Sequence, residues 1–128
     1  MTTTTTELII CTSCRPAGTD RSQATPGEQL LEAAQVAQLQ DDEGRYAQVR
    51  VRGVDCLSIC TRVCSVAFQA AGKHSYLFGD LAHDEVTAEQ LLDCAALHAR
   101  SPDGTLLRNE RPERLRSGIL ARLPPLGT

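Results

Sequence analysis

No run in this 128-residue chain approaches the roughly 18 consecutive apolar residues that a membrane span needs. The segment from Met1 to Thr6 has neither a basic start nor an apolar stretch behind it, so it does not read as a secretory signal. The charge balance is a modest −3, and it contains no basic field of the size that nucleic acid calls for. A phosphate-binding glycine loop, a Ser-His-Asp order and a paired-carboxylate motif are missing too, which leaves a hydrolase or a transferase without support. The expectation is a cytoplasmic protein with no membrane and no nucleic-acid partner. In a reducing compartment, clustered thiols serve metal or redox chemistry rather than structural disulfides.

What the chain does hold is cysteine in an unusual arrangement. Three of its six cysteines lie in Val54–Phe68, as Cys56, Cys60 and Cys64, spaced C-x3-C-x3-C. A buried cysteine can pass for a small hydrophobe, but its neighbours should then follow the same apolar period. Ser58, Thr61 and Arg62 interrupt that period, so the stretch reads as a loop that presents thiolates. Cys11 and Cys14 form a second group at the end of the first apolar run. Cys94 sits on the stripe of Leu91 and Ala95 and reads as a core thiol.

With 41% hydrophobic residues the chain is long enough for one core and short for two. Residues 1–7, with their threonine run, read as a disordered N-terminus, residues 8–100 as the folded domain, and residues 101–128 as an extension on or beside it. Glu7 to Cys11 is a short buried strand. Thr25-Pro26-Gly27-Glu28 combines a T-x-x-E capping box with proline at the first helical position and opens a helix that ends at Asp41-Asp42-Glu43-Gly44. Tyr46 to Val54 alternates, with Val49 and Val51 on one side and Arg50 and Arg52 on the other, as a strand with one wet face does. Ser65–Ala70 and His74–Phe78 form a hairpin across Ala71-Gly72-Lys73. A second helix starts at Thr87, whose box partner is Gln90, and stops at Ser101-Pro102-Asp103-Gly104.

Pro112 to Leu123 is expected to be a short helix, with Arg108, Arg111, Arg114, Arg116 and Arg122 making this the locally basic region, a solvated face with a partner-binding arm as the alternative. His74, His83 and His98 are scattered and read as structural or surface residues. The element order predicts an α/β fold, thioredoxin-like in plan, with a four-stranded mixed sheet flanked by helices and a C-terminal tail. A helix between the first two strands implies a right-handed parallel crossover. Both cysteine loops then leave the sheet at the same end.

Cys11 and Cys14 from one loop, with Cys56 and Cys60 from the other, supply four soft ligands suited to zinc or to an iron–sulfur cluster. Small zinc modules pair their knuckles within a compact unit, whereas here a helix and a strand separate the two pairs. A thioredoxin-type dithiol is the rival. It needs a cysteine at a helix N-terminus, and the box at Thr25 starts the helix well downstream of Cys14. No proline lies between Tyr46 and Asp80 to face such a dithiol.

The run Cys56-Leu57-Ser58-Ile59-Cys60, followed by a hairpin, resembles the C-L-x-x-C loop of thioredoxin-like [2Fe-2S] ferredoxins and of the related small subunit of respiratory NADH dehydrogenase. More widely, the chain is similar to a family of small bacterial proteins labelled predicted metal-binding proteins. The matching pieces are Cys11-Thr12-Ser13-Cys14-Arg15, the Cys56 to Cys64 triplet, Gly72-Lys73 through Leu81, and Ile119 to Pro125. The resemblance implies a [2Fe-2S] cluster on Cys11, Cys14, Cys56 and Cys60, with zinc or another soft metal as the alternative occupant. It makes Cys64 a fifth thiol where the ferredoxin loop has proline, and it puts Val63 where a glycine is expected. It further implies an electron carrier or metal-binding protein rather than an enzyme, a redox protein as partner, a setting in cobalt or cobalamin metabolism, and an assembly state that leaves room for a homodimer. Arg15 and Arg62 would flank the cluster loops.

Overall fold

Strand formation begins at Thr6, just ahead of the apolar run Leu8-Ile9-Ile10. The computed structural model of the protein describes residues 5–12, 25–55 and 64–125. Its elements run β1 (Thr6–Cys11), α1 (Pro26–Leu39), β2 (Val49–Val54), β3 (Val66–Gln69), β4 (Ser75–Phe78), α2 (Glu85–Arg100), two 3-10 turns (Arg108–Glu110 and Glu113–Leu115) and β5 (Ile119–Leu123). The strands form one sheet in the order β2-β1-β3-β4-β5. β1 and β2 are parallel across the α1 crossover, and the remaining pairings are antiparallel. The α/β class and the mixed sheet are as expected, but there are five strands where four are predicted.

The fifth strand comes from the tail. The expected helix over Pro112–Leu123 is instead a 3-10 turn followed by β5. Gly118 separates the two at φ +83, and a Cβ there would meet the Gly79 carbonyl oxygen at 2.8 Å. The backbone therefore turns through a conformation that suits glycine, and β4 offers an open edge to the residues that follow. The tail is also less solvated than its charge suggests. Arg111 is buried with its guanidinium over the Phe78 ring, 5.7 Å from the centroid, and Arg122 lies over Tyr76 at 6.0 Å. Weakly hydrated guanidinium groups tolerate such stacking.

Two further boundaries move. Thr6 and Glu7 belong to β1 rather than to a disordered start, and Thr6 is fully buried. α2 begins at Glu85, because the Asp84 side chain caps it by accepting from the Thr87 backbone N–H at 2.8 Å. An aspartate at the N-cap thus displaces the Thr87–Gln90 box. The α1 box forms as expected, with Thr25 and Glu28 bonding reciprocally. Tyr46, expected in a strand, lies in the turn before β2, where its hydroxyl donates to Asp93 Oδ1 at 2.6 Å. Arg50 and Arg52 do line a wet face, where they pair with Glu7.

Both helices cover the same sheet face. Leu8 and Ile10 of β1, Val49 of β2, Val66 and Phe68 of β3, and Tyr76 and Phe78 of β4 meet Leu30, Ala34, Leu91, Leu92 and Ala95 in one core. Phe68 and Phe78 pack edge-to-face with centroids 5.7 Å apart. Each such side chain contributes about 1.5–3 kcal/mol on burial. By the alternation of β1, Ile9 and Cys11 lie on the other face. Both are buried, yet neither joins this core.

Candidate metal centre

The parallel register places Cys11 opposite Val54, so β1 and β2 end at the same edge of the sheet. β3 runs the other way, with Val66 opposite Ile10, so Cys64 and Ser65 stand at that edge as well. Asp55 and Cys64 flank residues 56–63, while Thr12 and Thr25 flank residues 13–24. All four flanking residues gather at one end. The expectation that both cysteine loops leave the sheet together is met at the level of these ends. Cys14, Cys56 and Cys60 themselves, with Arg15, Arg62 and Val63, lie outside the described residues.

Cys11 is the described member of the expected ligand set, and it touches the approach to the other pair. Its Sγ lies 3.9 Å from the carbonyl oxygen of Asp55, the residue immediately before Cys56. Its backbone N–H donates to the Ser65 carbonyl at 3.1 Å, across the neck of the second cysteine loop. Cys11 is 1% exposed.

The N-terminus of α1 packs directly on this residue. A Cβ on Gly27 would fall 2.0 Å from the Cys11 carbonyl oxygen, which shows how closely the helix approaches. The sequence separates Cys14 from the capping box, but folding brings the helix start back against Cys11 and Thr12. The helix start thus lies against Cys11 and Thr12, while Cys14, from which the sequence separates it, lies outside the described residues.

Thr12 and Thr25 secure this junction. The Thr25 hydroxyl donates to the Thr12 carbonyl and accepts from the Glu28 N–H at 2.9 Å. Thr12 gives both its N–H, at 2.8 Å, and its hydroxyl, at 3.0 Å, to the Val54 carbonyl. Sequence reasoning misses Thr12 and Gly27 as parts of the site. Their roles depend on close approach between segments distant in the chain, and only the box around Gly27 gives any local signal.

Cys64 sits differently. Its backbone exchanges hydrogen bonds with Leu81 at 3.1 and 3.2 Å, and its side chain is fully buried in the core shared with Val66 and Phe68. It faces the helices, whereas Cys11 faces away from them. Cys94 is a core thiol, as expected, and burial pushes its pKa up to about 12 against the opposing field of Arg111. Such a thiol is inert at neutral pH. His98 is buried and structural, bonded to Thr6 and to the His74 carbonyl.

Among the described residues, no group of three or more His, Cys, Asp or Glu side chains is placed to hold a metal ion. The fit of a metal or cluster rests on the donor chemistry: one described thiol at the head of a C-x2-C pair, adjacent to the residue that leads into Cys56. Soft thiolates in fours match zinc and iron–sulfur centres. No helix among the described residues is long and apolar enough to cross a membrane.

Comparison with known proteins agrees with the fold. No curated protein matches the chain. A solved structure, a thioredoxin-like [2Fe-2S] ferredoxin from Aquifex aeolicus, is similar over 97% of both chains, with a TM-score of 0.56 and 14% sequence identity. At that identity the likeness establishes a thioredoxin-like fold. The family described as "Protein of unknown function (DUF1636)" matches residues 8–125, and with that span the chain belongs to this family.

Proposed function

We propose that the protein holds a [2Fe-2S] cluster on Cys11, Cys14, Cys56 and Cys60 and serves as a one-electron carrier to a redox protein, not as an enzyme. The observation that carries this reading is the 3.9 Å approach of Cys11 Sγ to the Asp55 carbonyl. It sets the first ligand of one loop beside the entry to the second pair. When bound, the cluster supplies a one-electron couple with all-cysteine ligation. The chain's own contributions are the thiolates and the sheet edge from which both cysteine segments leave.

The test is anaerobic purification followed by iron, sulfide and zinc analysis with visible spectroscopy. The expected result is a brown protein with two irons and two sulfides per chain, as the cluster's formula requires, that bleaches with dithionite. A colourless protein carrying stoichiometric zinc overturns the electron-carrier reading and leaves a soft-metal binding protein on the same thiols. A metal-free protein that reduces insulin overturns both in favour of a dithiol oxidoreductase.

A further inference from the structure

We infer that Thr12 is the positioning residue of the thiolate site, the point that ties Thr25, at the end of one cysteine segment, to Val54, at the approach to the other. The inference rests on the proposed ligation and adds to it a residue that is not itself a ligand. Two of the four loop ends, Thr12 and Thr25, meet here together with Val54, the residue before a third. Thr12 begins residues 13–24, its carbonyl accepts from Thr25 where that segment ends, and its N–H and hydroxyl both donate to Val54, one residue before Asp55. The two donors use both lone pairs of one carbonyl, a stiff two-point tether rather than a single swivelling bond.

The methyl group has separate work. A Cβ on Gly53 would lie 2.8 Å from Thr12 Cγ2 and 2.8 Å from Leu31 Cδ2. The Thr12 methyl and the Leu31 side chain thus occupy the space that glycine leaves open, so β2, α1 and the end of β1 close on one another there. The hydroxyl fixes Thr12 to Val54, and the methyl fills the space beside Gly53. Supporting hydrogen bonds of this kind orient ligands, and their loss typically weakens metal binding about 10–100-fold.

Two conservative variants separate these roles. Thr12→Val keeps the methyl shape and loses the donor, while Thr12→Ser keeps the donor and loses the methyl. Each full-length protein is purified anaerobically with its cluster. The half-life of the visible absorbance is measured in excess EDTA, together with the EPR g-values of the reduced form and the thermal unfolding midpoint. The expected result is a half-life shortened about 10-fold and shifted g-values in Thr12→Val, with Thr12→Ser close to wild type in both. If Thr12→Val matches wild type in half-life and g-values, or Thr12→Ser is impaired as much as Thr12→Val, Thr12 does not position the site. A wild-type protein that arrives colourless overturns the cluster reading itself, and that control alone shows which of the two has failed.

Discussion

The imidazole Nδ1 of His98, in the last turn of α2, meets the hydroxyl of Thr6, at the start of β1, at 2.8 Å across 92 residues of sequence. The other ring nitrogen, Nε2, donates to the His74 carbonyl at 2.7 Å, since a carbonyl can only accept. Nε2 therefore carries a proton, and burial, which favours the neutral ring, leaves Nδ1 as the acceptor for the Thr6 hydroxyl. Lys73 stands beside it, donating its ammonium to the carbonyls of His98 and Ala99 at 3.1 and 2.6 Å. This end of the sheet, opposite the cysteines, is tied by polar groups that must all keep their protonation states.

A dependence of stability on pH follows. Burial holds the His98 pKa below its ordinary 6.5, and the neighbouring Lys73 charge acts in the same direction. The unfolded chain then binds a proton near 6.5 while the folded chain resists it. Stability falls as pH drops below about 6.5 and levels off once the folded pKa is passed. The carboxylates of Asp41, Asp84 and Asp103, held below 3.8 chiefly by hydrogen bonds, give up their contribution only lower, near pH 4 and beneath. Urea midpoints measured from pH 7.5 to 5 isolate the histidine. His98→Gln should lower the midpoint at pH 7.5, a loss of about 1–3 kcal/mol for a broken buried network, and flatten the slope in that window. An unchanged slope would refute this role for His98.

Gly27 should tolerate no side chain. A methyl there would sit 2.0 Å from the Cys11 carbonyl oxygen, so Gly27→Ala must push α1 away from the end of β1. Gly44 and Gly72 supply the control, since each has φ +73 and nothing within 4 Å of the place a methyl would take. Alanine at either of those costs only the backbone strain, about 1–2 kcal/mol. Gly27→Ala is expected to cost more than both and to lose the cluster first, measured as iron content per chain alongside urea unfolding.

Much of this arrangement is legible from the residues themselves. The box at Thr25-Pro26-Gly27-Glu28 is a local device, and it forms as written. The crossover from Glu7–Cys11 to the alternating Val49–Val54 run implies parallel strands, and hence cysteine loops leaving at one end. Residues 119–123 read as helix because Leu115, Ile119 and Leu120 also fit a helical stripe. The deciding influences, a positive φ at Gly118 and the open edge of β4, are a conformation and a tertiary neighbour. Arg111 misleads for a similar reason. Charge predicts solvent until an aromatic face is available, and Phe78 lies 33 positions away in the chain. The supporting shell of the site, Thr12 above all, depends on contacts between β1, β2 and α1 that no local pattern encodes.

Arg111 itself carries an unusual expectation. Its Nε and Nη1 are buried and have no hydrogen-bond partner among the described residues, and its guanidinium stands over the Phe78 ring. Replacing a buried charge that lacks good partners with an apolar side chain of similar volume is often neutral or stabilising by about 1–4 kcal/mol. Arg111→Met should therefore unfold at the same urea concentration as wild type or a higher one. A clear fall in the midpoint would mean that the stacked guanidinium stabilises the tail after all.

The cysteines should separate into distinct behaviours under substitution. Cys11→Ser, Cys56→Ser and Cys60→Ser remove proposed ligands, and each should abolish the visible absorbance and reduce iron per chain to near zero. Cys64→Ser should keep the cluster, because its side chain faces the helices in the core with Val66 and Phe68, whereas Cys11 faces away. Its effect belongs to stability. Moving a hydroxyl from water into apolar surroundings costs about 1–3 kcal/mol, so Cys64→Ser should lower the urea midpoint while Cys64→Ala lowers it less. Cys94→Ser should behave as Cys64→Ser does, since both thiols are fully buried in one core. Loss of iron in Cys64→Ser with an unchanged midpoint would make Cys64 a ligand and reassign one member of the set.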